Sequence, residues 1–477
     1  MKKKEKFERP VKFAEATIIL IAIIAVIIFN AIYLKLGTGI SVLSVATLAA
    51  TYALLVLKIK WDDILDEIFN VFKVGMGAVL ILLMVGIIGS SWTIGGTTPM
   101  LIYYGLKLIS PGLYLVVSFL ITLVLGIATG SAWAIIGSVG IALMGVAQGL
   151  GVPIAPAAAA IAMGSYVGDM WSPFSDVPNL SAASTRGTSF DVFKAMIPTQ
   201  VPAILVGMII YTVLGLSLST SNTFDNTVVL EIQNALSSVY NWNFTLLLPP
   251  IIVIVGAAMK FPTIPILTLS AVVAVLQAVI FQGMDFAPAI NALYSGSVSN
   301  TGNAGIDGLL SGGGLLSMMS LILIIFCAFI FAGIIERMGV LKTVLGDLSN
   351  RISNKGHIIL ISMLSSILSV YLTSSVYVAT IINARIWSDV YKKNGMSTLN
   401  LSRTMCGGMS NWGLIVPWSG GVAVMLNTFN LQWYEYAPYL FTLWASMALI
   451  VIFGYTDKFI IPLEEDEKEA LQNEKVV

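Results

Sequence analysis

Stretches of about 20 predominantly apolar residues recur along the chain, and this is the length that an α-helix needs to cross the hydrocarbon core of a bilayer. The sequence is 57% hydrophobic and only 10% charged, whereas charged residues make up roughly a quarter of a soluble globular domain. We therefore predict an all-α polytopic membrane protein. The clearest predicted spans are 13–35, 39–57, 74–93, 197–217, 243–259, 263–282, 315–335 and 438–455.

The charged and cysteine residues exclude several kinds of partner. The chain has 25 basic and 25 acidic residues, and this balance predicts no nucleic-acid partner. Cys327 and Cys406 have no second Cys or His at metal-ligand spacing. We therefore predict two thiols that pack as small apolar groups, without a disulfide, a zinc site or a cofactor.

Residues 168–179 place two carboxylates, Asp169 and Asp176, beside Pro173 and Pro178 in an otherwise apolar region. Proline removes a backbone donor and prevents a continuous helix. Because an ionisable side chain inside a membrane is energetically costly, this segment indicates an ion or substrate pathway. The alternative is structural, in which the carboxylates only satisfy backbone donors at the helix break.

A second copy of this region lies 244 residues further along the chain. Each copy contains a helix hairpin interrupted at its tip, at 112–148 and 357–390, and a broken helix, at 154–180 and 404–425. A repeated, interrupted segment is typical of the binding site of a secondary transporter. The residues that align without a gap are Thr129, Ser131, Gly164, Pro173 and Ser175 with Thr373, Ser375, Gly408, Pro417 and Ser419.

The distribution of Lys and Arg predicts the orientation of the chain. Basic residues flank the first span, the second hairpin and the C-terminal tail, whereas 219–242, 284–314 and 427–437 contain none, so both termini are predicted to be cytoplasmic. The bias reverses between the two copies, which predicts an inverted-topology repeat. Inverted copies bring their interruptions together, so we expect the hairpin tips at Ser131 and Ser375 beside the breaks at Pro173 and Pro417.

These patterns give an expected architecture of about ten transmembrane helices plus two re-entrant hairpins. The first span lacks a small-residue cleavage pattern and is predicted to be retained in the membrane. The expected parts are N-terminal helices (1–70), a first repeat (71–196), linking helices with external loops (197–314), a second repeat (315–455) and a cytoplasmic tail (456–477).

The breaks and hairpin tips carry the oxygen-bearing side chains that a sodium ion prefers. The second copy has no carboxylate at 411–420, so sodium is predicted to bind at Asp176 and Asp169. A carboxylate that holds either a proton or a sodium ion acts as an exchanger. Close helix packing is the alternative role of the hydroxyl groups at the tips. The candidate cation- or substrate-binding residues are Thr129, Ser131, Asp169, Ser172, Ser175, Asp176, Asn179, Thr373, Ser374, Ser375, Asn411, Trp418 and Ser419.

Several motifs resemble the NhaC family of bacterial sodium/proton antiporters. They are Trp92 with 99–106, 130–133 (Gly-Ser-Ala-Trp), 140–145 (Gly-Ile-Ala-Leu-Met-Gly), 168–169 (Gly-Asp), 172–176 (Ser-Pro-Phe-Ser-Asp), 179–180 (Asn-Leu), 401–403 (Leu-Ser-Arg) and 416–418 (Val-Pro-Trp). The resemblance implies a member of the wider ion-transporter superfamily with re-entrant hairpins, and members of this superfamily are often homodimers. Some members of this superfamily exchange malate for lactate together with sodium and protons.

The chain departs from the family pattern in three places. Val177 and Pro178 stand where the family has two threonines, and Met170 replaces a common lysine. The second hairpin tip reads Ser-Ser-Val-Tyr at 374–377 rather than the glycine-glutamine type. These differences bear on ion stoichiometry and on the identity of any organic substrate.

The sequence thus predicts an antiporter of the cell membrane that exchanges sodium for protons, with or without a small organic anion such as malate or lactate. The alternative is a sodium-coupled symporter of an amino acid or carboxylate, which requires a cationic partner such as Arg385 or Arg403. An intramembrane enzyme is disfavoured, since no nucleophile with its base accompanies the aspartates. Asp176 is predicted to be the obligatory ligand. Asp169 is predicted to be a second carrier or tuner, about two helical turns earlier on the same face if the segment is helical.

Overall fold

The computed structural model describes residues 9–34, 36, 38–130, 132–172, 175–185, 187–221, 226–259, 261–300, 307, 310–349 and 352–463. The α-helices of these residues are α1 (Phe13–Ile32), α2 (Thr38–Leu55), α3 (Trp61–Ile94), α4 (Thr97–Leu108), α5 (Tyr114–Thr129), α6 (Ala132–Ile136), α7 (Val139–Gly149), α8 (Ile154–Met170), α9 (Asp176–Thr185), α10 (Ser189–Ser221), α11 (Asn226–Val239), α12 (Leu248–Ala258), α13 (Thr263–Ile280), α14 (Phe286–Ser295), α15 (Gly314–Met338), α16 (Val340–Ser349), α17 (Lys355–Thr373), α18 (Val376–Lys393), α19 (Leu399–Thr404), α20 (Gly420–Phe429), α21 (Trp433–Tyr436) and α22 (Phe441–Thr456). A π-helical turn at Met405–Met409 and 3-10 helices at Pro111–Leu113, Phe244–Leu247, Ser410–Leu414 and Ala437–Tyr439 connect some of them.

Length and hydropathy identify four helical segments in the described part of the chain that can cross a membrane: Gly75–Ile94, Ser189–Leu218, Gly314–Met338 and Lys355–Thr373. Three further helix pairs meet the same criteria together but are bent by 60° to 108°, and they raise the number to seven. Shorter apolar helices at Phe13–Ile23, Gly39–Leu55 and Ile264–Ile280 coincide with three other predicted spans. The prediction of an all-α polytopic membrane protein is confirmed.

Helix boundaries repeat at the spacing found in the sequence. α5 and α17 end at Thr129 and Thr373, and the next residues, Gly130 and Ser374, adopt left-handed backbone angles (φ 63° and 56°) that end the helices. The same succession of elements is therefore built twice. Other bounding residues that lie 244 positions apart are Ile94 and Met338, Ala132 and Val376, Gly149 and Lys393, Met170 and Leu414, Asp176 and Gly420, and Thr185 and Phe429.

Each hairpin packs against the broken helix of the other copy. α18, in the second limb of the second hairpin, contacts α9, which follows the first break. Reciprocally, α6 in the second limb of the first hairpin contacts α20, which follows the second break. The long helices α3 and α15 also pack against each other. Because these contacts are reciprocal, the two copies form one interlocked unit.

A buried row of hydrogen bonds joins the limbs of the second hairpin. The Asn383 side chain accepts from the Ser365 hydroxyl and donates to the Ser369 hydroxyl, each over 2.8 Å. Trp387 donates its ring N–H to Ser365, also over 2.8 Å. The second hairpin is thus held by polar contacts that the first one cannot make. The aligned residues of the first hairpin are all apolar: Ile121, Leu125, Val139 and Leu143.

The first hairpin instead packs closely through glycine. A Cβ atom built on Gly126 of α5 would lie 2.8 Å from the Cα of Gly168 in α8 and 3.0 Å from the backbone nitrogen of Asp169. Side chains larger than a hydrogen do not fit at this contact, and small residues commonly allow such close helix approach in membranes. The α5–α8 contact therefore fixes the place of Asp169.

Candidate functional site

The first broken helix, α8, stops at Met170, one residue after Asp169. Asp169 is only 8% exposed, so its carboxyl group lies inside the protein. In the next turn, the Ser172 amide donates to the Asp169 carbonyl (3.0 Å) and the Ser172 hydroxyl donates to the Ile127 carbonyl (2.8 Å). Ile127 lies just before the first hairpin tip, so Ser172 ties the break to that hairpin. Pro173, on the far side of this turn, lies outside the described residues.

The second part of the broken helix, α9, begins at Asp176. Its neighbours Ser175 and Val177 are buried, and the Asp176 side chain lies outside the described part of the structure. The continuous helix that would align Asp169 and Asp176 on one face is not formed, because α8 ends at Met170 and the next helix begins at Asp176. Pro173, which lacks a backbone donor, is the physical reason. The two carboxylates instead flank the interruption.

Asn179, another predicted ligand, has an exposed side chain. Its amide nitrogen donates to the Ser175 carbonyl (2.7 Å), and its amide oxygen accepts from the Ser189 hydroxyl. These bonds fasten the first turn of α9 to the start of α10. Asn179 therefore has contacts within the protein, and its role as a ligand stays a prediction.

The second broken helix follows a different path from the first. α19 continues into the π-helical turn at Met405–Met409, and the 3-10 turn at Ser410–Leu414 comes next. The matching stretch of the first copy is the regular helix α8. A π-helical turn widens the helix and is frequent at functional sites. The symmetry of the two copies therefore breaks at this turn.

Trp418 and Ser419 are engaged in holding the second break. The Trp418 ring N–H donates to the Tyr371 carbonyl (2.8 Å), and Tyr371 is the residue that aligns with Ile127. The Ser419 hydroxyl donates to the Gly413 carbonyl and accepts from the Val422 amide (3.2 Å), which caps α20. Both breaks are thus tied to the hairpin of their own copy through equivalent carbonyl groups, and these two side chains have structural partners.

Asn411 differs from them, because it is 1% exposed and its side-chain oxygen has no hydrogen-bond partner among the described residues. It lies in the 3-10 turn that follows the π-helical turn. Leaving a buried polar oxygen unpaired typically destabilises a protein by about 1–3 kcal/mol. Asn411 is therefore the residue of the second break best suited to bind a cation.

The second hairpin tip presents one candidate hydroxyl, that of Ser374. The Thr373 hydroxyl donates to the Ser369 carbonyl (2.7 Å), and the Ser375 hydroxyl caps α18 by accepting from the Val378 amide (3.3 Å). The buried Ser374 hydroxyl has no partner among the described residues. In the first tip, Ser131 and the Thr129 side chain lie outside the described part.

The tip of the second hairpin packs close to the breaks of both broken helices. Val376, the neighbour of Ser375, lies 3.6 Å from the position of a Cβ atom on Gly413, in the second break. It also packs against a cluster that contains Met170 and Val177, on the two sides of the first break. This agrees with the expected proximity of Ser375 to the breaks. The expectation for Ser131 and Pro173 falls on residues outside the described part.

Aromatic side chains of the first copy complete the contact with the second break. The Trp133 ring N–H donates to the Tyr166 hydroxyl (3.2 Å). The Trp133 ring lies against Gly420, and the Tyr166 hydroxyl lies against Gly421, so neither glycine could carry a side chain there. The two breaks therefore meet in the interior through residues of both copies.

Three residues near Asp169 were not predicted as site residues: Tyr166, Ser181 and Cys406. Tyr166 lies about one helical turn before Asp169 in α8, and the Cys406 thiol lies beside Ser181 and within electrostatic range of the Asp169 carboxyl group. Cys406 is fully buried, as expected for a small packing residue. The one feature of the sequence that could have identified Cys406 as a site residue is its position inside the second broken helix. Ser181 lies in a run of small residues, and no pattern in the sequence distinguishes it.

The arginines considered as partners of a substrate carboxylate have other contacts. Arg403 is fully buried, and its terminal nitrogens donate to the Phe459 carbonyl (2.8 Å) and to the Asn400 side-chain oxygen (3.2 Å). Arg385 is exposed, and it lies within electrostatic range of Glu336 at the end of α15. The oxygens of Asp169, Ser374 and Asn411 are groups of the kind that a hard cation prefers.

Comparison with known proteins gives a consistent result. The Na+/H+ antiporter family matches residues 164–458. The chain is 32% identical over 402 residues to a malate-2H(+)/Na(+)-lactate antiporter of Bacillus subtilis (strain 168), covering 84% of this chain and 86% of that protein. It is 31% identical over 441 residues to the Na(+)/H(+) antiporter NhaC of Alkalihalophilus pseudofirmus, covering 92% and 95%. It is 32% identical over 400 residues to the arginine/ornithine antiporter ArcD of Halobacterium salinarum, covering 83% and 82%.

Proposed function

We propose that this chain, which belongs to the Na+/H+ antiporter family, exchanges sodium ions for protons by letting the two cations compete for the carboxylates of the first break. The observation that carries the proposal is Asp169, which is buried at the end of an interrupted helix in a chain of apolar helices. Asp176 begins the next helix on the other side of the same interruption.

Competition at a buried carboxylate explains why the two fluxes are coupled. Burial in a low-dielectric interior disfavours the bare carboxylate, and either a proton or a nearby sodium ion relieves this penalty. The site is therefore stable when it holds one cation and unfavourable when it holds none. If only the occupied site can change the side of the membrane to which it opens, each sodium ion that leaves must be replaced by a proton.

The interlocked repeats supply a route for that change. Two interrupted helices that meet in the interior, each covered by the hairpin of the other copy, support alternating access in which one unit moves against the other. The polar row at Asn383 keeps the second hairpin rigid, whereas the first hairpin packs through Gly126 and Gly168. We infer that the first hairpin and α8 move against the second hairpin.

A second candidate activity couples this exchange to a small organic anion. It is favoured by the similarity to the malate-2H(+)/Na(+)-lactate antiporter of Bacillus subtilis. An anion needs a cationic or helix-terminal partner, and the terminal nitrogens of Arg403 already donate to Phe459 and Asn400. Sodium/proton exchange without an organic anion is therefore the primary proposal.

Purified protein in proteoliposomes tests both activities. We expect an imposed sodium gradient to drive proton movement in the opposite direction without any organic solute. Adding malate, lactate or an amino acid should leave this flux unchanged. Proton flux that depends on one of these solutes would establish the second candidate instead, and the absence of any sodium-driven proton flux would refute the primary proposal.

A further inference from the structure

The hydroxyl group of Ser181 is unusual among the buried helical hydroxyls. Ser165 in α8 donates to the Ile161 carbonyl (2.8 Å), and Thr185 in α9 donates to the carbonyl of Ser181 itself (2.8 Å). Ser181 is 0% exposed, yet its hydroxyl has no nitrogen or oxygen partner among the described residues, and its neighbour is the Cys406 thiol, a weakly hydrogen-bonding group. It thus leaves unused the carbonyls of the preceding helical turn, which Ser and Thr hydroxyls normally contact.

The Cys406 thiol lies beside the Ser181 hydroxyl. Cys406 packs in one cluster with Met170, Val177 and Ala182, which are the sequence neighbours of Asp169, Asp176 and Ser181. The same thiol lies within electrostatic range of the Asp169 carboxyl group. Ser181 and Cys406 therefore border the space between the end of α8 and the start of α9.

The place of Cys406 is fixed from the opposite side of the π-helical turn. The Gln200 side chain donates to the Ser446 hydroxyl (3.1 Å), which donates to the Gly407 carbonyl (3.0 Å). A Cβ atom on Gly407 would lie 2.7 Å from the Gln200 side-chain nitrogen, so the turn fits closely against α10. Cys406 is consequently held in the first break rather than placed there by a flexible loop.

We propose that Ser181 supplies a further oxygen ligand to the cation at Asp169, and that Cys406 is a specificity-determining residue that places sulfur at the edge of that cation's shell. The inference rests on the proposed function for the identity of the cation. The observation that indicates a ligand is a fully buried hydroxyl beside the carboxylate's neighbours that has no nitrogen or oxygen partner among the described residues and lies against a thiol.

The preference of a cation for oxygen or for sulfur ligands determines the expected effects of Ser181 and Cys406 on sodium binding. A sodium ion prefers oxygen, and a neutral thiol is a poor ligand for it, whereas soft ligands favour soft metals. Removing the Ser181 hydroxyl should therefore weaken sodium binding. Replacing the Cys406 sulfur by oxygen should strengthen sodium binding.

Binding of radiolabelled sodium to the purified full-length protein in detergent measures these effects without transport. For Ser181→Ala, the loss of one oxygen ligand is expected to raise the half-saturating sodium concentration about tenfold. For Cys406→Ser, we expect this concentration to fall, by roughly threefold if the new oxygen contributes about half as much. Ser181→Cys keeps the size of the side chain but should bind sodium as weakly as Ser181→Ala.

Two matched controls separate these effects from general damage. Ser165→Ala removes a buried hydroxyl that is engaged with the backbone, and Cys327→Ser changes the other cysteine. Both should bind sodium within about twofold of the wild type, a change that corresponds to less than about 0.5 kcal/mol. Wild-type affinity in both Ser181→Ala and Ser181→Cys, or weaker binding in Cys406→Ser, would overturn the inference.

The proposed function fails in a different measurement. If the wild type binds sodium and the variants behave as expected but no sodium-driven proton flux occurs, the ligand assignment stands and the exchange proposal is wrong. If the wild type binds no sodium, the ligand assignment is wrong. If Ser181→Ala does not fold, the sodium affinities of Ser181→Thr and Ser181→Cys are compared instead. Ser181→Thr keeps the hydroxyl and should bind sodium more tightly than Ser181→Cys.

Discussion

Asp169 and Asp176 occupy opposite ends of one interruption, so their contributions can be separated by substitution. Asp169 belongs to the last turn of a helix fixed by glycine contacts, and Asp176 begins the next helix beside buried Ser175 and Val177. Two carboxylates close to the same cation affect each other's protonation, and they titrate as a pair. We predict that Asp176 is the obligatory ligand of the shared cation and that Asp169 is a second carrier or tunes the protonation of Asp176.

Asp176→Asn should abolish sodium-driven proton flux, because the amide keeps the shape of the side chain but cannot exchange a proton for sodium. Asp169→Asn should retain measurable flux, with an altered pH profile or an altered sodium dependence. Flux assays in proteoliposomes over a range of pH and sodium concentration test both. Each variant should elute from size exclusion as the wild type does. Wild-type flux in Asp176→Asn would contradict the exchange mechanism.

Among the elements, the α5–α8 pair is fixed by close glycine packing, whereas the second hairpin is fixed by buried hydrogen bonds.

The sequence predicts the ends of α5 and α17 from Thr129, Thr373 and their small polar neighbours, because local residue types determine where a helix stops. The π-helical turn at Met405–Met409 could not be predicted, since Gln200 and Ser446 contact it from distant parts of the chain. The expected boundary at 196/197 falls inside α10, which continues through Pro198 and Pro202.

For the same reason, the sequence identifies candidate ligands more readily than it shows which of their oxygens are available to a ligand. Residue type identified Trp418 and Ser419, but their engagement with Tyr371 and Gly413 depends on tertiary contacts. Ser374 and Asn411, by contrast, keep buried oxygens without described partners. Sequence therefore identified the region of the site, and packing decided which of its oxygens are available.

Gly126→Ala should push α8 away from α5, because the new methyl group would meet the backbone of Gly168 and Asp169. Overpacking of this kind typically destabilises by about 1–3 kcal/mol. We expect a lower thermal unfolding midpoint in detergent together with weaker sodium dependence of transport. Gly77→Ala is the control, since nothing lies within 4 Å of a Cβ atom at that exposed helical position. Equal behaviour of the two variants would show that the α5–α8 contact does not position Asp169.

Asn383→Leu should loosen the second hairpin, because it leaves the Ser365 and Ser369 hydroxyls without their shared partner. Loss of a buried polar partner is expected to destabilise by about 1–3 kcal/mol. The thermal unfolding midpoint measures this loss. Ser388→Ala provides a comparison on the same helix, where the hydroxyl only donates to the backbone of Ala384. If Asn383→Leu is as stable as that comparison, the polar row does not hold the hairpin.

At the scale of the whole molecule, the two copies share contacts that neither could make alone. α18 covers α9, and α6 covers α20, so each break is completed by the other repeat. The reversed Lys and Arg bias predicts that the copies lie in opposite orientations in the membrane. That orientation, the cytoplasmic termini and the homodimeric assembly stay predictions.

Ser110 and Asn354 form a matched pair for testing the orientation, because they align between the copies and both are exposed. In a Cys327→Ser background, where the remaining Cys406 is fully buried, a membrane-impermeant thiol reagent should label Ser110→Cys from outside intact cells. It should label Asn354→Cys only after the membrane is opened. Labelling of both positions from the same side would refute the inverted repeat.

The reciprocal contact of α18 with α9 has a consequence for biosynthesis. The ribosome completes α9 long before it begins α18, since the linking helices and the first part of the second repeat are translated between them. Until α18 arrives, the first break with its aspartates has no cover from the second hairpin, and long-range pairings of this kind are slow to form. Assembly of the first break is therefore completed only after α18 has been translated, and a nascent chain arrested before residue 376 leaves the carboxylates of this break without their cover from the second hairpin.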